Sequence, residues 1–441
     1  MPPAAAQALP ETASPGPAVA ASATAPVDPH YRRDITALGD THEIRARQAI
    51  WSKSRIKLVG KGVRVDSSLY DRLMQHKLQS AIEECLEIAD AVSPRSLREE
   101  AVRLIESGTG YAQFQDNGAR PGDLLAVIGR VPVDEPLAVR LTVMRERRPP
   151  MYVHAIGVAL ITAYLAQRSG FRGDRLTSVV AAGLYHDIGE MHIDPAVLTK
   201  KQSLDESDRR HVYAHPLTAF LVLQERPCCA GAPAEAVFEH HERLDGSGYP
   251  RGIRGDEISE GGRILALAEL AATFFAQPAD SNPLRRMPVV LKLNHRRFDH
   301  ALTNHLVDFA RQASPSGALA SPPDVGVAVA RIEAIQTVVR DWGVLFAGTS
   351  ERGPAFDRIG ERMAYLGRTL SEAGLDVTNT RELAAAVAED AHASSELHDT
   401  SRELNWLLQE IVNGCYRETI AAPAPLLQWA DQARQTLGAV S

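Results

Sequence analysis

The chain has 441 residues, of which 44% are hydrophobic and 23% are charged, and its formal net charge is −7. This composition is typical of an ordinary globular protein with two or three domains. The negative charge disfavours broad electrostatic binding to nucleic acid polymers or to acidic membranes. Four cysteines without a C-x-x-C pair favour a reduced, cytoplasmic protein.

Residues 1–28 consist almost entirely of Ala, Pro, Ser, Thr and Gly. This composition cannot bury a hydrophobic core, so the segment is predicted to be a disordered tail. It lacks the basic start and apolar centre of a signal peptide. No uninterrupted apolar run in the chain approaches the ~20 residues that a membrane helix needs, so no membrane association is expected.

Residues 29–148 are predicted to form a small N-terminal α/β accessory region. Residues 56–59 and 63–65 alternate in polarity around Gly60-Lys61-Gly62, a pattern that predicts a hairpin. Asp66 then has the position of an N-cap, for a helix expected to reach Leu78. Two further helices are expected at 80–92 and 97–105. The region is interpreted as a packing or dimerising module, with a sensory domain as the alternative.

Residues 149–310 are predicted to form a helical core. Pro149-Pro150 can open a helix, because proline is tolerated in the first turn. Apolar periodicity then predicts helices at 176–185, 207–223, 234–241 and 262–275, with a Gly-rich loop at 245–256. Histidines and acids that point inward from such helices are suited to a metal site.

Residues 320–441 are predicted to form an accessory helical bundle without a chemical motif. Asn379 with Glu382 is typical of a helix start. The expected helices cover 325–345, 354–373, 380–397, 400–414 and 424–437.

Two clusters of histidines and acids carry the chemistry of the chain. One is Leu184-Tyr185-His186-Asp187-Ile188-Gly189-Glu190. The other is His240-His241-Glu242-Arg243-Leu244-Asp245-Gly246-Ser247-Gly248-Tyr249-Pro250. Together they resemble the HD-GYP family, a branch of the HD-domain metal-dependent phosphohydrolases. The resemblance implies a mainly α protein with an HD-domain helical core, which hydrolyses the second messenger cyclic di-GMP.

The resemblance also implies a set of metal ligands. His154, His186 and Asp187 would serve one ion, and Asp187 would bridge to a second ion held by His215, His240 and His241. Glu269 stands where the family usually has Asp and is expected to be a further ligand. Two divalent transition metals are therefore expected, with iron or manganese favoured over magnesium because magnesium prefers all-oxygen sites. His211 is expected on the solvent side or behind the ligands, and His192 in the cleft or on the surface.

Other positions concern substrate and catalysis. Gly248 and Tyr249 belong to the signature loop near the site, and Arg285 and Arg286 are the nearest candidates for a basic segment that clamps phosphate. Asp187 and Glu190 are the residues expected to take part in catalysis. Besides Glu269, three positions depart from the family pattern, namely Glu190 for Lys, Ala272 for Asp and Pro150 for the Glu that helps to hold a third metal.

The sequence therefore predicts a cyclic di-GMP phosphodiesterase that uses a hydroxide activated by two metals. One alternative is a catalytically degenerate HD-GYP module that binds a nucleotide or a protein partner for signalling. The other is a phosphohydrolase for a different phosphoester. A cyclic dinucleotide is the expected ligand, whereas a homodimer and signalling partners are left open.

Overall fold

A computed structural model describes residues 29–116, 121–199, 206–278, 283–313, 324–350, 353–375, 380–416 and 423–440. The predicted tail at 1–28 lies outside the described residues. Within them the protein is mainly helical, with four short strands near its N-terminus, which confirms the predicted fold class.

The N-terminal region contains two small antiparallel sheets and six helices. One sheet pairs β1 with β4 and the other pairs β2 with β3. The strands are β1 (Ile44–Ala46), β2 (Ile50–Trp51), β3 (Lys57–Val59) and β4 (Leu86–Ile88). The helices are α1 (Pro29–Leu38), α2 (Tyr70–Met74), α3 (Pro94–Ile105), α4 (Gln113–Asp116), α5 (Pro121–Ile128) and α6 (Glu135–Arg147).

The strand pairing differs from the predicted hairpin. β3 pairs with β2 through a turn in which Ser52 N donates to Ile56 O at 2.9 Å. Val63 and Val65 instead bond to the backbone around β1, where Val65 N donates to Ile44 O at 2.9 Å. The alternation of polarity correctly indicated extended chain, but it could not choose the partner strand.

Two of the helices predicted for this region also differ. Asp66 does cap a helical turn, since its side chain accepts from Ser68 N, but α2 ends at Met74, before Leu78. The helix predicted at 80–92 is a short 3₁₀ turn followed by β4, whose residues alternate between buried and exposed. Pairing with β1 favours the extended form there over the helix. The helix predicted at 97–105 is confirmed by α3.

The helical core carries the predicted helices close to their expected positions. Its helices are α7 (Pro149–Arg168), α8 (Gly173–Tyr185), α9 (Pro195–Leu198), α10 (Glu206–Gln224), α11 (Ala232–Glu239), α12 (Glu260–Phe275), α13 (Met287–Leu293) and α14 (His300–Ala313). Helix α7 packs against α8 and α12, and α11 packs against α8, α10 and α12. This arrangement brings the metal-ligand candidates of five helices to one place.

Helix α7 is long and apolar enough to cross a membrane by length and composition alone. Most of it is buried inside the protein, against α8 and α12. Its apolar character is therefore explained by its place in the core.

The C-terminal bundle consists of α15 (Val325–Gly348), α16 (Pro354–Glu372), α17 (Thr380–Val387), α18 (Ala391–Cys415) and α19 (Ala424–Gly438). The break predicted between 397 and 400 is wrong, because α18 runs through it. The break lies instead at Asp390, whose side chain accepts from His392 N and Ala393 N. Asn379 lies outside the described residues.

The buried apolar residues form two separate clusters. One extends from Tyr31 to Ala313 and joins the N-terminal region to the helical core. The other extends from Leu293 to Leu437, and Trp342 packs there edge-on against Trp429 with ring centroids 4.9 Å apart. The N-terminal region and the helical core therefore share one hydrophobic core, whereas the C-terminal bundle has its own.

Candidate metal centre

The predicted ligands come from the ends and inner faces of the core helices. His154 lies in α7, His215 in α10 and Glu269 in α12. His186 directly follows α8, and His240 directly follows α11. His186 and His240 are fully buried, and His215 is 2% exposed. The structure thus brings residues from five helices into one buried group.

Three of these imidazoles are oriented in the same way. The Nδ1 atom lies 2.9 Å from Gly183 O in His186, 2.6 Å from Val212 O in His215 and 2.6 Å from Val237 O in His240. Because a carbonyl oxygen can only accept, Nδ1 carries the hydrogen in each ring. Each Nε2 therefore points away from the backbone carbonyl and toward the centre, which is the arrangement found in metal-ligating histidines.

Asp187 lies between two sets of histidines, and each of its oxygens faces one set. Its Oδ2 is 2.9 Å from His186 Nε2 and 3.8 Å from His154 Nε2. Its Oδ1 is 3.4 Å from His215 Nε2 and 3.7 Å from His240 Nε2. A carboxylate in this position can bridge two metal ions.

Glu269 completes the first set. Its Oε2 lies 2.9 Å from His154 Nε2 and 3.2 Å from His186 Nε2. The ligand atoms of these three residues lie within 4.8 Å of one another, and so do those of His215, His240 and His241. The additional methylene of Glu269, compared with the usual Asp, therefore still allows its carboxylate to reach the histidines.

Glu190 belongs to a third group. Its carboxylate lies within 4.8 Å of ligand atoms of Asp187 and His215. Burial, together with the neighbouring Asp187 carboxylate, raises the pKa of Glu190 to about 9. Without a bound cation, Glu190 therefore holds a proton at neutral pH.

The electrostatics of the ligand set fit divalent metal ions. Burial lowers the pKa of His215, and burial with the neighbouring His186 lowers the pKa of His240 to about 3, so both rings are neutral donors. Burial alone would lower the pKa of His186, but Asp187 and Glu269 outweigh it and raise that pKa well above its ordinary value. Metal binding at His186 would therefore release a proton.

One buried atom provides a direct test of this fit. His186 Nε2 is buried and makes no hydrogen bond of acceptable geometry, although two carboxylate oxygens lie nearby. Buried polar nitrogens in proteins are normally satisfied. A cation among these donors would satisfy the nitrogen and both carboxylates together, so these three residues fit a divalent metal ion.

The Gly-rich loop lies against the paired histidines. A Cβ atom at Gly248 would lie 2.4 Å from His241 O and 2.5 Å from Arg243 N, so only glycine fits there. This close approach places the Tyr249 ring on the His241 ring, with centroids 4.6 Å apart and an interplanar angle of 19°. The structure thus places both residues of the signature loop beside the second ligand set.

Sequence reasoning missed residues that support this loop and its surroundings. Glu242 is 1% exposed, and its Oε1 accepts from Arg251 N at 2.7 Å and from Gly252 N at 3.1 Å. Tyr213 stacks on Tyr249 with centroids 4.4 Å apart. Glu242 stands within the recognised motif, whereas nothing in the sequence pattern pointed to Tyr213.

Arg285 and Arg286 face the C-terminal bundle. Arg286 Nε lies 3.2 Å from Asp399 Oδ1, and Arg285 Nη2 lies 3.7 Å from Asp399 Oδ2. This placement gives no support to their predicted role as a phosphate clamp.

The other two histidines considered in the sequence analysis, His192 and His211, lie outside the ligand groups. His211 is exposed on α10. His192 packs near Tyr31, with ring centroids 5.5 Å apart, and its Nε2 lies 3.0 Å from Arg140 Nη1.

Residues 138–287 match the family model described as HD domain. This segment belongs to the HD-domain family. The match spans the ligand candidates from His154 to Glu269. It confirms the HD-type core that the two sequence motifs predicted.

Parts of the chain are also similar to curated proteins. The 3′3′-cGAMP-specific phosphodiesterase 1 of Vibrio cholerae is 35% identical over 123 residues, which is 27% of this chain and 27% of the relative. The 3′3′-cGAMP-specific phosphodiesterase 3 of the same organism is 28% identical over 223 residues, 49% of this chain and 48% of the relative. A cyclic di-GMP phosphodiesterase of Pseudomonas aeruginosa is 29% identical over 119 residues, 27% of this chain and 29% of the relative.

The matched regions thus span between about a quarter and about half of these relatives' own lengths. The chain is also similar to the solved structure of an HDG"Y"P protein from Bdellovibrio bacteriovorus, with 13% identity and a TM-score of 0.34. The match covers 60% of this chain and 95% of the chain in that structure.

Proposed function

We propose that the protein is a metal-dependent phosphodiesterase that hydrolyses a cyclic dinucleotide, with cyclic di-GMP as the first candidate, at a site for two metal ions. The position of Asp187 carries this proposal, because its two oxygens face two separate sets of histidines. Relatives named as phosphodiesterases for 3′3′-cGAMP and for cyclic di-GMP support the substrate class. A cytoplasmic location is part of the proposal.

The ligand residues divide into two sets. His154, His186 and Glu269 would hold one ion, and His215, His240 and His241 the other, with Asp187 shared between them. When bound, divalent transition metals supply Lewis acidity toward the phosphoryl group and toward water. Donor sets rich in imidazole suit iron or manganese better than magnesium.

The residues around the ligands would bind and orient the substrate. Tyr249, stacked on His241, forms one wall beside the second ligand set. Glu190 is proposed to hold a metal ion or a water molecule next to Asp187, since its carboxylate lies beside the carboxylate of Asp187 and the imidazole of His215.

A degenerate binding module is the second candidate function, and two placements favour it. Glu190 puts a carboxyl group where the HD-GYP pattern has a lysine, and Arg285 and Arg286 are engaged by Asp399. Glu190 therefore offers no positive charge to a substrate phosphate, and both arginines are directed toward the C-terminal bundle.

Reconstitution of the metal-free protein tests the proposal. The full chain is freed of metal with a chelator, loaded under anaerobic conditions with Fe²⁺, Mn²⁺ or Mg²⁺, and analysed for bound metal and for hydrolysis of cyclic di-GMP and of 3′3′-cGAMP. We expect about two ions per chain and turnover with iron or manganese. Two bound ions without turnover of either dinucleotide would favour the binding module, and one ion or none would contradict the dinuclear site.

A further inference from the structure

The turn that follows Asp187 is held by residues that do not belong to the ligand set. This turn, the 3₁₀ segment Ile188–His192, carries Glu190 and begins at the bridging carboxylate. On its inner side, a Cβ atom at Gly189 would lie 2.1 Å from His215 O, so the turn is pressed against the backbone of another ligand. A shift of the turn would therefore move Asp187 and Glu190 relative to His215.

Arg148 holds the outer side of the same turn. Its Nη1 donates to Glu190 O at 2.7 Å, and its Nη2 donates to Met191 O at 3.1 Å and to Ile193 O at 3.2 Å. Arg148 is 7% exposed. Three carbonyl groups of one short segment thus converge on a single buried guanidinium, which fixes the path of the backbone.

Asp34 in α1 holds Arg148 in place. Its Oδ2 accepts from Arg148 Nε at 2.9 Å, and Asp34 is 8% exposed. Because the carboxylate takes up Nε, the two Nη atoms remain directed at the turn. A planar guanidinium can bind several acceptors at once in this way, whereas a lysine ammonium cannot reproduce the geometry.

A second arginine makes a parallel connection. Arg140 in α6 donates from Nε to Glu83 Oε1 at 2.7 Å, and its Nη1 lies 3.0 Å from His192 Nε2. Its guanidinium also lies over the Tyr31 ring, 4.5 Å from the centroid. Two buried acids of the N-terminal region, Asp34 and Glu83, therefore reach the same turn through two different arginines.

We infer that the N-terminal region controls the geometry of the metal centre through the Asp34–Arg148 pair, which holds the turn carrying Asp187 and Glu190. Arg148 and Asp34 are positioning residues, since they act through the backbone of the turn. The single hydrophobic core that joins residues 31–313 lets a change in the packing of α1 reach the turn. The inference rests on the proposed function only in naming the reaction that the metal centre serves.

The test uses Asp34→Asn in the full chain, with Asp399→Asn as the matched control. Both residues are buried aspartates paired with arginine, but Asp399 holds Arg285 and Arg286 in the C-terminal bundle. Mn²⁺ affinity is measured by titration of the metal-free protein, and hydrogen–deuterium exchange is followed in peptides that cover residues 188–193. Arg148→Lys is the second variant. It keeps the positive charge but lacks the planar guanidinium that binds several acceptors at once.

We expect Asp34→Asn and Arg148→Lys to weaken Mn²⁺ binding about 10-fold or more, as changes in residues that support metal ligands do. Exchange at 188–193 should become faster in both variants, and Asp399→Asn should change neither quantity. At saturating metal, kcat should fall more than KM rises. Parent-like Mn²⁺ affinity and exchange in folded Arg148→Lys and Asp34→Asn, or an equal change in Asp399→Asn, would overturn the inference.

Metal affinity and exchange need no dinucleotide. If the parent protein binds metal but turns over neither dinucleotide, the proposed function fails, while weaker metal binding in Asp34→Asn would still support the inference.

Discussion

The metal centre and the C-terminal bundle both bury polar side chains, but they satisfy them differently. In the bundle, Asn294 Nδ2 donates to Glu403 Oε1 at 3.0 Å, and Asp399 lies against Arg286. At the metal centre, lone pairs converge: His215 Nε2 lies 3.2 Å from His240 Nε2, and both face Asp187 Oδ1. Buried donors and acceptors that meet satisfy one another, whereas buried acceptors that face one another are stabilised when a proton or a metal cation binds between them.

Asp187→Ala tests this contrast most strongly. We expect the variant to lose both metal ions and turnover by more than about 100-fold, because the shared carboxylate disappears. Asp399→Asn should keep the metal, because Asp399 lies against Arg286 in the C-terminal bundle. Elemental analysis and turnover assays measure the two effects. Equal metal content in Asp187→Ala and the parent would refute the bridging assignment.

His241→Ala sharpens the contrast within the centre itself. His241 groups with His215 and His240 only, so the variant should lose chiefly one ion and keep the other. His211→Ala is the matched control, because His211 is exposed on α10, the helix that carries His215. Metal content per chain is the measurement. Loss of both ions in His241→Ala would show that the two sets are not independent. Loss of an ion in His211→Ala would contradict the placement of His211 outside the ligand sets.

Glu190→Lys tests whether the metal centre tolerates a positively charged side chain at position 190. A lysine at ~4 Å from a bound ion would be repelled by up to about 4 kcal/mol per unit charge at an effective dielectric of ~20. We expect lower metal content or at least about 10-fold lower turnover. Glu190→Gln, which removes the charge without adding one, is the control. A higher rate at unchanged metal content would mean that Glu190 merely replaces a substrate-binding lysine.

Glu403→Gln gives the smallest effect, in the bundle. Burial raises the pKa of Glu403, against the opposing hydrogen bond from Asn294. The stability that accompanies a raised carboxyl pKa is complete below the unfolded value of about 4.3 and is lost as the pH rises through the folded value. Glu403→Gln should therefore stabilise the protein more at pH 8 than at pH 5. The expected difference in unfolding free energy is about 1 kcal/mol or less, and it is measured as a shift in Tm at the two pH values.

The control for this variant is Glu396→Gln, at an exposed position of the same helix. A pH-independent difference between Glu403→Gln and the parent would contradict the role of burial at Glu403.

Predictions from local sequence pattern succeeded where a helix contains regularly spaced apolar residues and has clear ends. The helices around His154, His186 and His215 were predicted within a few residues, because periodicity and the prolines at 149 and 150 are local signals. The hairpin at 56–65 was wrong because β3 pairs with β2 and Val65 bonds to Ile44. The helix at 80–92 was wrong because β4 pairs with β1, which joins distant residues such as Ile44 and Ile88. The placement of Arg285 and Arg286 was equally invisible, since Asp399 lies more than 100 residues away.

The sequence by itself determined the class of protein and the identities of the metal-ligand candidates. Both follow from the residue types in the two motifs and from the spacing between them, which can be read without a structure. Only the tertiary structure decided that Asp187 Oδ1 and Oδ2 face different histidine sets, and that Glu269 joins His154 and His186. It alone also connected Asp34 to the turn after Asp187 through Arg148. These relations depend on the directions of side chains from distant helices, and packing sets those directions once the hydrophobic core has formed.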